Sequence, residues 1–157
     1  LKKQEILSNA LAFAVKHHYG QFDKAGHAYI LHPLKVMYLM KTDDEELMAI
    51  AVLHDVVEDC FPNDHEAGFA ALHAIGMTPR IITAVRLLTR KKEIPYDEYI
   101  DGIMGNIDAM RAKKIDLRHN MDLRRLKGVT DKDMKRIEKY VKTYHKIDTA
   151  LKAVDIL

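Results

Sequence analysis

Residues 47–59 read LMAIAVLHDVVED, and this stretch decides the fold. From Leu47 to Val57 it is apolar nearly all round, apart from His54 and Asp55. A helix that is apolar on every side belongs in the centre of a bundle, because none of its faces suits water. Burying a histidine beside an aspartate there costs on the order of several kcal/mol unless both are paired or bound. A satisfied core histidine with a capping aspartate would meet that need. So would a divalent cation, which imidazole nitrogen and carboxylate oxygen both ligate. Residues four apart share a helical face, so Glu58 lies one turn beyond His54 and Asp59 one turn beyond Asp55. Four ionisable groups then project from one helical end, where like charges repel unless a cation or a catalytic need for a raised pKa retains them.

Helices also surround this segment on the sequence pattern. Thr42 and Asp43, followed by Glu45 and Glu46, form a capping signal ahead of it. Ile6, Leu7, Ala10, Leu11 and Ala14, with His18 beyond them, predict an amphipathic helix over residues 2–19 that Gly20 ends. Residues 20–31, GQFDKAGHAYIL, carry two glycines and no clean period, which predicts a loop approaching something. Pro33 suits the first turn of a helix reading HPLKVMYLMK and places His32 at its entrance. Further helices are predicted near 64–75, 79–88, 96–106, 108–123 and 131–154, with Gly76, Pro95 and Gly128 as punctuation. In the last of them Ile137, Tyr140, Val141, Tyr144 and Ile147 share one side, to cover the core or to meet a second copy in a homodimer. No run alternates as a strand would, and no linker or repeat interrupts the chain. Residues 1–157 therefore read as a single all-α domain.

Composition narrows the function. A chain of 157 residues, 48% hydrophobic and 31% charged, suits one folded domain with one core. No stretch approaches the roughly 20 apolar residues that cross a bilayer, and the start lacks a secretory pattern, so a cytoplasmic protein away from membranes is expected. The single cysteine, Cys60, excludes an internal disulfide and a cysteine-based zinc cluster, so any metal must use His and carboxylate. The 25 basic and 23 acidic residues are too balanced to announce a nucleic-acid polymer as partner, whereas a small anionic ligand stays open.

One metal needs more ligands than His54 and Asp55. His32, opening a helix after a glycine-containing loop, can present a ring nitrogen, although a lone histidine there is more often a cap or a core group. Asp116 lies in KKIDLRHN between Ile115 and Leu117, both of buried type, with Asn120 four residues on and on the same face. Lys24, with Arg118 or Lys114, can offset phosphate charge, or each is a solvated surface cation. His119, between Asp116 and Asn120, is the remaining histidine placed to matter; the others read as surface, packing or supporting groups.

Taken together these residues resemble the HD-domain superfamily of metal-dependent phosphohydrolases, whose pattern is His, then His-Asp, then a distant Asp. GQFDKAGHAYILHPLKV, AVLHDVVEDC, VRLLTR and KKIDLRHN resemble, in order and at similar spacing, the hydrolase domain of RelA/SpoT-type alarmone enzymes and their small single-domain relatives. The resemblance runs from about Ala10 to Arg125. It implies a compact helical bundle with His32, His54, Asp55 and Asp116 as metal ligands. Mn2+ is the usual ion, with Fe2+, Zn2+, Co2+ and Mg2+ left open by ligand type. Glu58 and Asp59 match the catalytic acidic pair, and which of them takes the proton stays open. Asn120 matches a residue that helps hold the nucleotide, and Lys24 and Tyr29 fall in the loop that meets phosphates. The implied reaction is removal of the 3′ pyrophosphate from guanosine tetra- or pentaphosphate, a stringent-response activity. The length leaves no room for an accompanying synthetase domain, so hydrolysis alone is expected. An HD-type nucleotidase or other phosphomonoesterase, and a non-catalytic regulatory binding module, are the rival readings. The chain departs from the pattern at Gln21-Phe22-Asp23-Lys24, where a basic residue usually follows the Gln directly. Cys60 stands where a Thr commonly follows the acidic pair.

Overall fold

The apolar segment does lie at the centre. The computed structural model describes residues 5–155, arranged as α1 (Ile6–His17), α2 (Leu31–Leu39), α3 (Glu45–Leu53), α4 (Val56–Cys60), α5 (His65–Ala74), α6 (Pro79–Leu88), α7 (Tyr96–Ile103), α8 (Ile107–Asn120) and α9 (Asp131–Asp155). Among the described residues there is no strand, only an isolated bridge between Phe22 and Ala28. α3 packs against α1, α2, α6 and α8, and its residues Ala49 to Leu53 are all fully buried. Small side chains at Ala49 and Ala51 let neighbouring helices approach, while Ile50 and Leu53 fill the space between them. A large-to-small change at Ile50 or Leu53 would cost about 2–5 kcal/mol.

The predicted single helix through His54 and Asp55 is instead two helices. His54 Nδ1 bonds the Ala51 carbonyl at 2.7 Å, the acceptor that the Asp55 amide would take in a continuous helix. The chain turns at this pair and resumes as α4. The cap of α3 is Asp44, one residue later than the sequence signal; its carboxylate accepts from the Glu46 and Leu47 amides, and Thr42 Oγ1 accepts from the Asp44 amide.

α1 begins at Ile6 and ends at His17, followed by Gly20 at φ 80°. Residues 2–4 of its predicted span lie outside the described residues. The helices predicted near 64–75, 79–88, 96–106 and 108–123 appear as α5 to α8, with α7 and α8 ending about one turn early. On α9, Ile147 and Leu151 are buried with Tyr140 and Tyr144 packed beside them, but Val141 is exposed, on the edge rather than the face. Arg80 on α6 clasps three helix starts: its guanidinium reaches Asp44 at 2.7 Å, Glu46 at 3.2 Å and Asp108 at 2.7 Å. This ties α3, α6 and α8 together at one end, away from His54.

Candidate metal centre

The four residues singled out for a metal come from three parts of the chain and meet. His32 sits in the first turn of α2, His54 and Asp55 form the break between α3 and α4, and Asp116 projects from α8. One ligand atom from each lies within 4.8 Å of all the others. His32 Nε2 is 3.0 Å from Asp116 Oδ1 and 3.6 Å from Asp55 Oδ2. His54 Nε2 is 3.0 Å from Asp55 Oδ2 and 3.4 Å from Asp116 Oδ1.

The state of His54 tests the fit to a cation. Its Nδ1 proton is committed to the Ala51 carbonyl, so in the neutral ring Nε2 is a bare lone pair. That nitrogen is buried and makes no hydrogen bond, although two carboxylates face it. A lone pair opposite two anions repels, and only a positive charge between them reverses the sign. Burial works to lower the ring's pKa, yet the Asp55 and Asp116 carboxylates overcome it and hold it well above its ordinary value. The same field favours a divalent ion. Two imidazole nitrogens and two carboxylate oxygens can hold one, and these donor types do not choose among Mn2+, Fe2+, Zn2+ and Co2+.

Groups behind the four orient them. His32 Nδ1 is 2.7 Å from His119 Nδ1, with the rings stacked. Burial, then Arg125 and His32, lower the His119 pKa to about 4, so this ring is a neutral acceptor. When His32 Nδ1 donates to it, His32 Nε2 is free to ligate. Asp116 Oδ2 accepts from the buried Lys113 Nζ at 2.8 Å, and Oδ1 accepts from Asn120 Nδ2 at 2.8 Å. Burial opposes ionisation of Asp116, but Lys113, His32 and His54 hold its pKa well below the usual carboxylate range. Lys113 escaped the sequence reading, which weighed its neighbours Lys114 and Arg118. Lys114 instead pairs with Asp148 at 2.7 Å on the α9 side, and Arg118 is exposed. The i,i+3 spacing to Asp116 was the signal that could have found Lys113.

Glu58 and Asp59 flank the cluster on α4. Glu58 Oε1 accepts from the Arg90 amide at 2.6 Å, and Asp59 Oδ2 accepts from Gln21 Nε2 at 2.9 Å. Burial pushes the Glu58 pKa up to about 7; Asp55 and Asp59 add to this, and the Arg90 N–H opposes it. Asp59 is raised too, by burial and then by Asp55. Tyr29 donates its hydroxyl to Asp55 Oδ2 at 2.5 Å, and burial followed by Asp55 raises its pKa far beyond the neutral range.

Two grooves adjoin the cluster. A cleft of about 290 Å³ is lined by Lys24, Tyr29, Asn120, Arg125, Arg136 and Tyr140, among others. A second, of about 400 Å³, has Glu58 in its wall together with Arg90, Lys91 and Lys92. The departure at Asp23 has a local cause: Oδ1 accepts from the Ala25 and His27 amides, both at 2.9 Å, folding the loop that carries Lys24 to the cleft. Cys60 donates its thiol to the His17 carbonyl at 3.3 Å, a bond that a Thr hydroxyl could also make.

No family model matches the chain. It is 27% identical over 128 residues to a GTP pyrophosphokinase of Myxococcus xanthus, covering 74% of this chain and 17% of that protein. It is 29% identical over 126 residues to the GTP pyrophosphokinase rsh of Brucella melitensis, covering 75% of this chain and 17% of that protein. This chain is similar to one segment of each. It spans 17% of the length of these curated relatives, and no helix among its described residues is long and apolar enough to cross a membrane.

Proposed function

We propose that this chain is an HD-type, metal-dependent phosphohydrolase domain that removes pyrophosphate from the 3′ position of guanosine tetra- or pentaphosphate. The observation that carries the reading is the convergence of His32, His54, Asp55 and Asp116 on one point, one turn from two acids of raised pKa. The similarity to a segment of GTP pyrophosphokinases supports a guanosine polyphosphate as substrate. Hydrolysis, rather than pyrophosphoryl transfer to GTP, is the direction that a His/Asp cluster with adjacent acids suits.

Mn2+ held by His32, His54, Asp55 and Asp116 would supply Lewis acidity, making water ionisable near neutral pH instead of at about 15.7. The chain's own groups do the rest. The oxygen of water bonds to the phosphorus attached at the 3′ oxygen, and the 3′ O–P bond breaks to release pyrophosphate. Glu58, fixed by the Arg90 amide, takes a proton from water, the Asp59 carboxylate orients that water, and the departing 3′ oxygen is protonated from solvent. Asn120 and Lys24 line the cleft where the nucleotide is held, and Lys24 faces phosphate charge there. Tyr29 donates to Asp55 and so limits the freedom of that carboxylate. Because the polar groups are already in place, catalysis rests on positioning and electrostatics.

The test incubates Mn2+-loaded protein with guanosine tetraphosphate and a nucleotide panel, resolving GDP, pyrophosphate and orthophosphate beside His54→Ala and Asp55→Ala controls. GDP with stoichiometric pyrophosphate, lost in both controls, supports the reading. Metal-dependent orthophosphate from another nucleotide replaces the substrate with that of a phosphomonoesterase. Absence of both turnover and metal binding overturns it in favour of a binding module.

A further inference from the structure

We infer that Gln21, locked by His18, is a positioning residue that fixes the direction of the Asp59 carboxylate on α4. The inference rests on the phosphohydrolase reading, in which Asp59 is one of the two working acids.

Three side chains form a line with one consistent assignment of donors. Asp59 Oδ2 is 2.9 Å from the Gln21 side-chain nitrogen, and an ionised carboxylate only accepts, so the Gln21 NH2 must face it. The Gln21 oxygen therefore faces the other way, 2.8 Å from His18 Nδ1, and His18 must supply the proton. Turning the amide over would set its oxygen against the ionised carboxylate and lose the bond to Asp59, even if His18 changed tautomer to accept from the NH2. The amide is fixed at both ends.

His18 is only 1% exposed, and its other nitrogen, Nε2, is buried with no partner. A histidine kept for packing would be replaced at lower cost by an apolar side chain, since a buried unsatisfied nitrogen is unfavourable. The ring's side-chain contacts are the bond to Gln21 at 2.8 Å and the Cys60 sulfur 3.6 Å away on its flank. Asp59 needs such a hold. It belongs to a five-residue helix and feels the nearby Asp55 charge, which disfavours its ionised form. Its partner Glu58 is fixed by a backbone amide, that of Arg90, whereas Asp59 depends on a side chain from the loop after α1. That loop keeps its own shape by main-chain bonds, Gln21 N to the His18 carbonyl at 3.0 Å and Tyr29 N to the Gln21 carbonyl at 2.9 Å. Changing the Gln21 side chain leaves these in place.

The experiment compares Gln21→Met, His18→Phe and the double variant in the Mn2+-loaded full chain. Gln21→Met keeps the length without the polar ends and is expected to lower kcat by roughly 10- to 100-fold with calorimetric Mn2+ affinity unchanged. His18→Phe should give a smaller loss of the same kind, and the double variant should be no worse than Gln21→Met, because His18 acts through Gln21. Unchanged kcat in Gln21→Met, or multiplying losses in the double variant, overturns the inference. If His18→Phe does not fold, Gln21→Glu takes its place: it still accepts from His18 but sets a carboxylate against Asp59, so kcat at pH 8 should fall below that of Gln21→Met, and an equal or higher kcat counts against the assignment. If the wild type turns over no alarmone, the functional reading fails separately. The line is then read from the Asp59 carboxyl 13C signal at fixed pH, which should move in Gln21→Met; a signal that stays put rejects it.

Discussion

Replacing Glu58 with Gln should stabilise the metal-free protein in alkaline solution while abolishing turnover. Glu58 is half-buried beside Asp55 and Asp59, and its pKa stands at about 7 against an ordinary 4.5. At about 1.4 kcal/mol per pKa unit, ionising it in the folded protein costs roughly 3 kcal/mol more than in the unfolded chain. Between pH 4.5 and about 7 the folded state binds the extra proton, so stability falls as pH rises through that window; the whole cost is present above it and nearly none below. The substituted amide carries no charge to bury, and its carbonyl can still accept from the Arg90 amide. Urea unfolding of wild type and Glu58→Gln in EDTA should therefore give nearly equal stabilities at pH 4.5, differing by under about 0.5 kcal/mol, and a gap approaching about 3 kcal/mol in favour of the variant at pH 8.5. Mn2+ should narrow the gap, since a nearby cation favours the ionised carboxylate. A gap independent of pH would refute the argument, because it would mean that burial does not act on the charge of Glu58.

Asp116→Asn should cost roughly 3–5 kcal/mol by leaving the Lys113 charge buried without its counter-ion, and it should also weaken Mn2+ binding; denaturation and calorimetry read the two effects separately. Free Mn2+ at 100 times its dissociation constant should raise wild-type stability by about 2.7 kcal/mol, and His54→Ala should lose that gain in a thermal-shift titration. Arg80→Ala should cost only about 1 kcal/mol, less in high salt, because its ion pairs are partly solvated. Its Mn2+ affinity should match wild type, since Arg80 sits at the opposite end of α3 from His54.

Much of the fold was legible in residues 47–59 because an all-round apolar helix admits only a central place. The same burial argument singled out His54 and Asp55 as needing compensation, and local pattern pointed to His32 and Asp116. What one-dimensional spacing could not show was the break between α3 and α4, where the His54 side chain takes the Ala51 carbonyl from the helix. Nor could it show that Lys113 rather than Lys114 meets Asp116, since the direction each side chain takes around α8 decides between the core and Asp148. His18, Gln21 and Asp59 are also unremarkable apart: they become a line only when the loop after α1 folds over α4. Sequence by itself determined the helical class and the chemical types at the centre, because hydrophobic period and unpaired buried charge are local properties. Only tertiary structure decided which lone pair is left without a partner and which donors hold each acid, because hydrogen bonds depend on distance and direction between elements far apart in the chain.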